Sequence, residues 1–237
     1  MSERHWRRSL PAALALLAAA GCGHSAGTHA GPTARAGSAV TGEAALSVGQ
    51  LRSALLDSVS GQRPAAPAQA GQYGSLPDVQ ASRQTMSGVK VTPARCAQAT
   101  TTGFNSAAFT HAPASVVTFR IGRDGVSEVL VSASPRLAAT ALGASLPPGC
   151  AHYRATVDGR TFSYTVRETP VTGLADQARL LNVSAAGYSA VDVWSVVYRG
   201  NGFVGAVTIV GPGASARGAE QLASDAYARA ARALAPA

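Results

Sequence analysis

Behind a Ser47…Gln50 capping box, Val48, Leu51, Leu55 and Val59 recur at intervals of three and four residues, which predicts an amphipathic helix over residues 47–60. The low-complexity run RPAAPAQAGQYG (residues 63–74) has little to bury and reads as a long loop. Thr92-Pro93 and the run from Cys96 to Thr101 predict a short helix. Residues 115–121 then alternate, with Val117, Phe119 and Ile121 on one face, and Asp124-Gly125 is expected to turn the chain into a strand over 127–132. Ser134-Pro135 opens a helix over 135–146 that Pro147-Pro148-Gly149 closes. Two further hairpins are predicted, 151–157 with 160–167 around Asp158-Gly159, and 191–199 with 203–210 around Asn201-Gly202. Asx-Gly dipeptides supply the positive φ angles of type I′ turns, so the sheet should be largely antiparallel. Over 215–234, Leu222, Ala226, Tyr227, Ala230 and Leu234 form one stripe, with Asp225 placed to pair with Arg229 at i,i+4 and Arg229 and Arg232 suited to the helix C-terminus. The class is α+β: a largely antiparallel sheet of hairpins packed with N-terminal, middle and C-terminal helices.

The N-terminus has a different character. Arg4, Arg7 and Arg8 precede a largely apolar stretch over residues 10–20. It is too short for a permanent membrane span, which needs roughly 20 apolar residues, and has the size of a signal-peptide h-region. It ends in Ala19-Ala20-Gly21-Cys22, which resembles the lipobox of bacterial lipoproteins, with Ala19 where Leu is usual. The resemblance implies cleavage before Cys22 and diacylation of its sulfur, and two acyl chains suffice for stable attachment to membrane lipid. Residues 22–44 are rich in Gly, Ala, Ser and Thr and read as a flexible tether, in which His24 and His29 make no metal site. The organisation is therefore a lipoprotein signal peptide over 1–21, a tether over 22–44 and one α+β domain over 45–237, held at the extracytoplasmic face of a cell membrane.

Charge and cysteines narrow the chemistry. From Cys22 onward the chain holds 17 basic and 11 acidic residues, a formal charge of +6, and Lys90 is the one lysine among them. The arginines are scattered and no aromatic stripe accompanies them, so nucleic acid is excluded as a partner. Cys96 and Cys150 are an even pair in an oxidising compartment and read as a disulfide. The spacing of Cys96, Cys150 and His152 lacks the Cys-x2-Cys signature of zinc sites, so neither metal nor cofactor is expected.

The order of elements carries a further resemblance: QLRSALL in a first helix, a cysteine in PARCAQA, a second after prolines in LPPGCAHY, then VVYRGNGFVGAVTIV leading into AYARAARALA. Over roughly residues 46–236 this resembles the extracellular sensor domain of actinobacterial PknH-type serine/threonine kinases and its stand-alone lipoprotein relatives. The resemblance implies a sheet with a cleft flanked by helices that takes an envelope ligand. The kinase domain carries two intramolecular disulfides and this chain has cysteines for one, so no cleft residue transfers directly. The PsbP-like fold of LpqN-type lipoproteins is a neighbouring alternative.

Over residues 45–237 no G-x-S-x-G elbow, H-E-x-x-H, P-loop or kinase catalytic set occurs, and the one G-x-S-x-G match, Gly23 to Gly27, lies in the tether. The domain's two histidines are His111, in a loop, and His152, at a strand start. Glu168 and Asp176 are sparse acids that nothing places as an acid/base pair, and the sequon Asn182-Val183-Ser184 means little in a bacterium. Two readings follow. One is a non-enzymatic binding or sensing module for an anionic or amphipathic envelope molecule, lined by Tyr164, Arg167, Trp194, Tyr198 and Arg199. The other is a hydrolase or transferase of envelope components that uses His111 or His152.

Overall fold

The computed structural model describes residues 45–98, 104, 107–143, 145–186 and 192–235. The signal segment, Cys22 and the tether lie outside the described residues. One nine-stranded sheet organises the chain: β1 (Gln69–Gln72), β2 (Lys90–Thr92), β3 (Pro113–Ile121), β4 (Asp124–Ser132), β5 (His152–Val157), β6 (Arg160–Val171), β7 (Gln177–Ala186), β8 (Asp192–Gly200) and β9 (Phe203–Gly211). Their spatial order is β1-β3-β4-β9-β8-β7-β6-β5-β2 and every neighbouring pair is antiparallel. Four helices pack on it: α1 (Val48–Ala54), α2 (Pro77–Ser87), α3 (Pro135–Gly143) and α4 (Ala216–Ala233). The α+β class is thus observed.

The capping box forms as the sequence indicates, with Ser47 Oγ accepting from Gln50 N–H at 3.3 Å and Gln50 Oε1 accepting from Ser47 N–H at 2.9 Å. The helix, however, ends at Ala54 rather than running to residue 60, because Leu55 is extended (ψ 156°). Leu55 and Val59 are still buried, so the apolar periodicity outlives the helix. What stops the helix is tertiary. Leu56 N–H donates to the buried carboxylate of Glu128 on β4 at 2.7 Å, and Arg229 of α4 donates to the Leu55 carbonyl while its Nη1 stands 3.1 Å from Asp57. Arg229 therefore clasps the end of α1 instead of pairing with Asp225, which accepts from Gln221 at 3.2 Å.

Of the three Asx-Gly turns, only Asp158-Gly159 has both residues at positive φ (49° and 74°), the type I′ geometry. At Asn201-Gly202 only the glycine is positive, at 74°. The first hairpin turns two residues earlier than expected. Ile121 already pairs with Asp124, and Gly122 (φ 58°) takes the bend. Asp124 instead accepts from Gly213 N–H at 3.0 Å and fastens the link into α4.

Four elements escape the sequence pattern. Strand β7 is covered on both faces, so Leu180, Leu181, Asn182 and Val183 are buried in succession and no alternation shows. Helix α2 is polar and buries only Val79 and Ser82. Strands β1 and β2 are four and three residues long; β1 lies within the stretch read as loop, and β2 ends at Thr92, just before the run read as a short helix. The run after Pro93 is a 3-10 helix over Ala94–Gln98, and α3 stops at Gly143, where Leu146 N–H turns to Glu168 Oε2 at 3.1 Å.

Core forms on both faces. On one, α1 lies over β1, β3 and β4 and α4 over β9, β8 and β7, enclosing Leu51, Phe119, Leu130, Val196, Phe203 and Leu222. Ala219, Ala223, Ala226 and Ala230 face the sheet from α4 and bring its backbone close. On the other face, α2, α3 and Phe104 and Phe109 cover one half. The Cys96–Cys150 disulfide, both of its residues fully buried, anchors the other half against Tyr153, Val166 and Val183.

Candidate functional site

Eight inter-strand steps of about 4.8 Å make the sheet roughly 38 Å wide. Two helices lying side by side, each about 10 Å across, cover roughly half of that. On the α1/α4 face the two helices pack on the six strands from β1 to β7, and the remaining third, β6, β5 and β2, lies outside their main contacts. Alternation and register fix which residues share this side, from the open strands to those under α4. One cross-strand row is Thr92, Arg154, Ser163 and Ala186; the next is His152, Thr165, Ser184 and Asp192; the one after is Arg167, Asn182, Trp194 and Ile209.

The surface is rich in hydroxyls and cations. Thr156 and Thr161 hydroxyls meet at 2.8 Å, and His152 Nδ1 lies 3.2 Å from Thr165 Oγ1. Lys90, Arg154 and Arg167 are exposed, and none of them forms an ion pair among the described residues. Asp192 is the one carboxylate that these rows bring to this side. Between β2, β5, β6 and the end of β7 the surface sinks into an open recess of about 360 Å³ whose lining includes Thr92, His152, Arg154, Ser163 and Thr165.

Of the five residues expected to line a ligand site, the structure brings two together. Arg167, exposed on β6, and Trp194, half-buried under the margin of α4, flank the buried Asn182 on this side of the sheet. Tyr198 is on the same face but fully buried beneath α4. Its ring meets Phe203 and Tyr227 edge-on at 6.4 and 5.8 Å and fills the space that the missing Cβ of Gly205 leaves open. Burial and the nearby Glu128 carboxylate push its phenol well above the usual range. Tyr164 borders the recess, but its ring turns to the disulfide side, where it stacks on Tyr153 at 5.2 Å and burial raises its phenol. Arg199 also faces that side, 3.6 Å from Asp176. The aromatic and arginine content of β6 and β8 was visible in sequence, but which side of the sheet was open was not. Arg154, Ser163 and Thr165 were missed, although a signal existed: Thr161, Ser163, Thr165, Arg167 and Thr169 alternate with Phe162, Tyr164 and Val166.

The candidate catalytic groups are scattered. His111 Nδ1 lies 3.3 Å from Gln72 Oε1 near the β1 edge, and His152 stands on β5 toward the opposite edge. Glu168 pairs with Arg179, and Asp176 with Arg199, so the two acids serve separate ion pairs. Among the described residues no group of three or more His, Cys, Asp or Glu is placed to hold a metal ion, and no helix is long and apolar enough to cross a membrane.

By sequence, no protein-family model and no curated protein matches the chain significantly. By structure, the chain superposes on the crystal structure of the extracellular domain of PknH from Mycobacterium tuberculosis with a TM-score of 0.56, over 81% of this chain and all of that one. The fold is that of the PknH extracellular domain. At 15% identity the likeness is one of fold. The X-ray structure of the Mycobacterium smegmatis ortholog of Rv0999 is 18% identical, over 60% of this chain and 76% of that one, with a TM-score of 0.39 that is too low to bear on the fold.

Proposed function

We propose that this chain is a membrane-anchored extracytoplasmic lipoprotein whose domain binds or senses an anionic or amphipathic envelope molecule and performs no covalent chemistry on it. The observation that carries the reading is the partly covered sheet: its free third presents Arg154 and Arg167, exposed and without an ion pair among the described residues, beside a hydroxyl ladder, and Trp194 supplies apolar area where α4 meets it. Arginine forks and aromatic rings are what an anionic, partly apolar ligand needs. The solved neighbour is itself an extracellular domain, which supports the same side of the membrane for this one. The separation of His111 from His152, and the use of Glu168 and Asp176 in other contacts, speak against a hydrolase or transferase.

Binding of envelope extract by the full chain tests this. Arg167→Glu is expected to weaken capture by about tenfold, as for loss of a charge-assisted contact plus repulsion. Arg199→Glu on the opposite face and Arg35→Glu in the tether are expected to leave it nearly unchanged. Capture should fall as salt rises, since exposed charges are screened beyond about 8 Å at physiological ionic strength. Equal losses at Arg167 and Arg199 would remove the open face from the reading. A bound molecule recovered chemically altered from the wild type, but intact from the His111→Ala, His152→Ala double variant, would establish the enzyme instead.

The anchor has its own test. Metabolic labelling with a palmitate analogue is expected to mark the wild type and not Cys22→Ala, and a labelled alanine variant would end the lipoprotein assignment.

A further inference from the structure

The recess over β2, β5 and β6 has a composition that selects among anionic ligands. Its lining offers the guanidinium of Arg154, the imidazole of His152 and the hydroxyls of Thr92, Ser163 and Thr165, and it contains no carboxylate. The carboxylate that faces this side, Asp192, stands at the far end of the neighbouring row, beyond Thr165 and Ser184. The hydroxyls and the imidazole can donate or accept, but Arg154 donates only and carries a fixed positive charge, so an anion gains here what a neutral sugar does not. A cation is repelled by that guanidinium and meets no carboxylate in the lining. A ligand with several acceptor oxygens satisfies it. Because the donors come from three adjacent strands, they spread over roughly 10 Å, more than one planar carboxylate can occupy. A second unpaired guanidinium, Arg167, follows four residues after Ser163 on β6, about 13 Å further along the strand.

We propose that this recess binds a phosphodiester group of a linear polyol- or glycan-phosphate polymer, with Arg154, His152, Ser163 and Thr165 around one phosphate and Arg167 receiving a later one. The proposal rests on the reading of the domain as a binder of an anionic envelope molecule and names its chemistry. Charge complementarity and the separation of the two arginines along β6 favour an anion with more than one charged group over a single one. The relief of the surface favours a polymer over a bilayer. Helix α4 stands about 10 Å above the sheet beside the open strands, so a flat membrane meets α4 before it reaches the recess, whereas a chain can lie along β6. His152 and Thr165, hydrogen-bonded at 3.2 Å, hold each other in place at the centre of the group.

The experiment uses the full chain reconstituted in zwitterionic nanodiscs and titrated calorimetrically with a short synthetic glycerol-phosphate oligomer, with polyglutamate of equal charge as the comparison. The oligomer is expected to bind and polyglutamate to bind more weakly. Arg154→Gln should weaken the oligomer by about tenfold or more, the scale of a lost charged hydrogen bond, with an unchanged unfolding midpoint because Arg154 is exposed. Thr165→Val, which removes one donor, should weaken it several-fold, and Arg199→Gln should not change it. If the oligomer binds wild type and Arg154→Gln alike, while Arg167→Glu still impairs capture of envelope extract, the recess assignment is overturned and the broader binding reading stands. If no oligomer binds and extract capture is indifferent to Arg167, both fall. If moving the wild type to phosphatidylglycerol nanodiscs by itself abolishes oligomer binding, headgroups occupy the recess and the polymer assignment is overturned.

Discussion

Reducing the Cys96–Cys150 disulfide is expected to lower the unfolding midpoint of the domain by roughly 10 °C. The two cysteines are 54 residues apart, and the chain-entropy model assigns a loop of that length about 4 kcal/mol, an upper figure because native strain subtracts from it. For a domain of about 190 residues, 1 kcal/mol moves the midpoint by about 2–4 °C. The enclosed segment holds β3, β4 and α3, so opening the bond frees two central strands and a helix in the unfolded ensemble. The Cys96,150→Ala double variant should melt at the same lowered midpoint as the reduced protein. Both sulfurs are buried, so mild reductant added to the folded protein should act slowly, after partial opening. Two free thiols per native domain, with Cys22 removed, would refute the pairing, and a melting temperature indifferent to reductant after full reduction would refute its role.

The second large effect is a slope of stability with pH set by Glu128. Its side chain is buried at the centre of the α1/α4 face, and desolvation pushes the carboxyl up from an ordinary value near 4.5 to about 7, against the opposing pull of the Leu56 N–H and the Arg229 guanidinium. Between those two pH values the unfolded chain gives up its proton and the folded domain keeps it. Stability from this group is therefore greatest below pH 4.5, falls as pH rises to about 7, and is level beyond. At 1.36 kcal/mol per unit the loss is about 3 kcal/mol. Glu128→Gln should remove that component, so the difference in stability between variant and wild type should grow by about 3 kcal/mol from pH 4.5 to pH 8. A difference that stays constant with pH would show that Glu128 titrates as an exposed acid does.

The hairpins, the capped first helix, the Ala-rich last helix and the disulfide were legible because each is written locally or, for the cysteines, by elimination. Elements defined by distant partners were not. Strand β7 shows no alternation because helices and the disulfide layer bury it from both sides, and α2 shows no apolar stripe because it rests on the sheet chiefly through Val79. Leu55 and Val59 look helical in sequence because the core wants them, while Glu128 and Arg229, more than 70 residues away, decide that their backbone is not. The site shares this character. Tyr198 and Arg167 are equally plausible ligand residues in one dimension, and they separate only once α4 is laid over the first and not the second.

The two outermost strands, β1 and β2, belong to one stretch of chain. Residues 73–89 leave β1 at one rim of the sheet, pass behind it through Tyr73, Leu76 and Val79, and deliver β2 to the other rim. A single strap thus hems both margins of a sheet some 38 Å broad. The hems are short, four residues on one side and three on the other, and where β1 runs out the Ala65 amide takes up the Thr118 carbonyl at 2.8 Å. Each margin therefore offers a ladder of only a few residues to a second copy. Short margins of this kind are how a broad sheet limits the ladder it offers to a neighbouring copy.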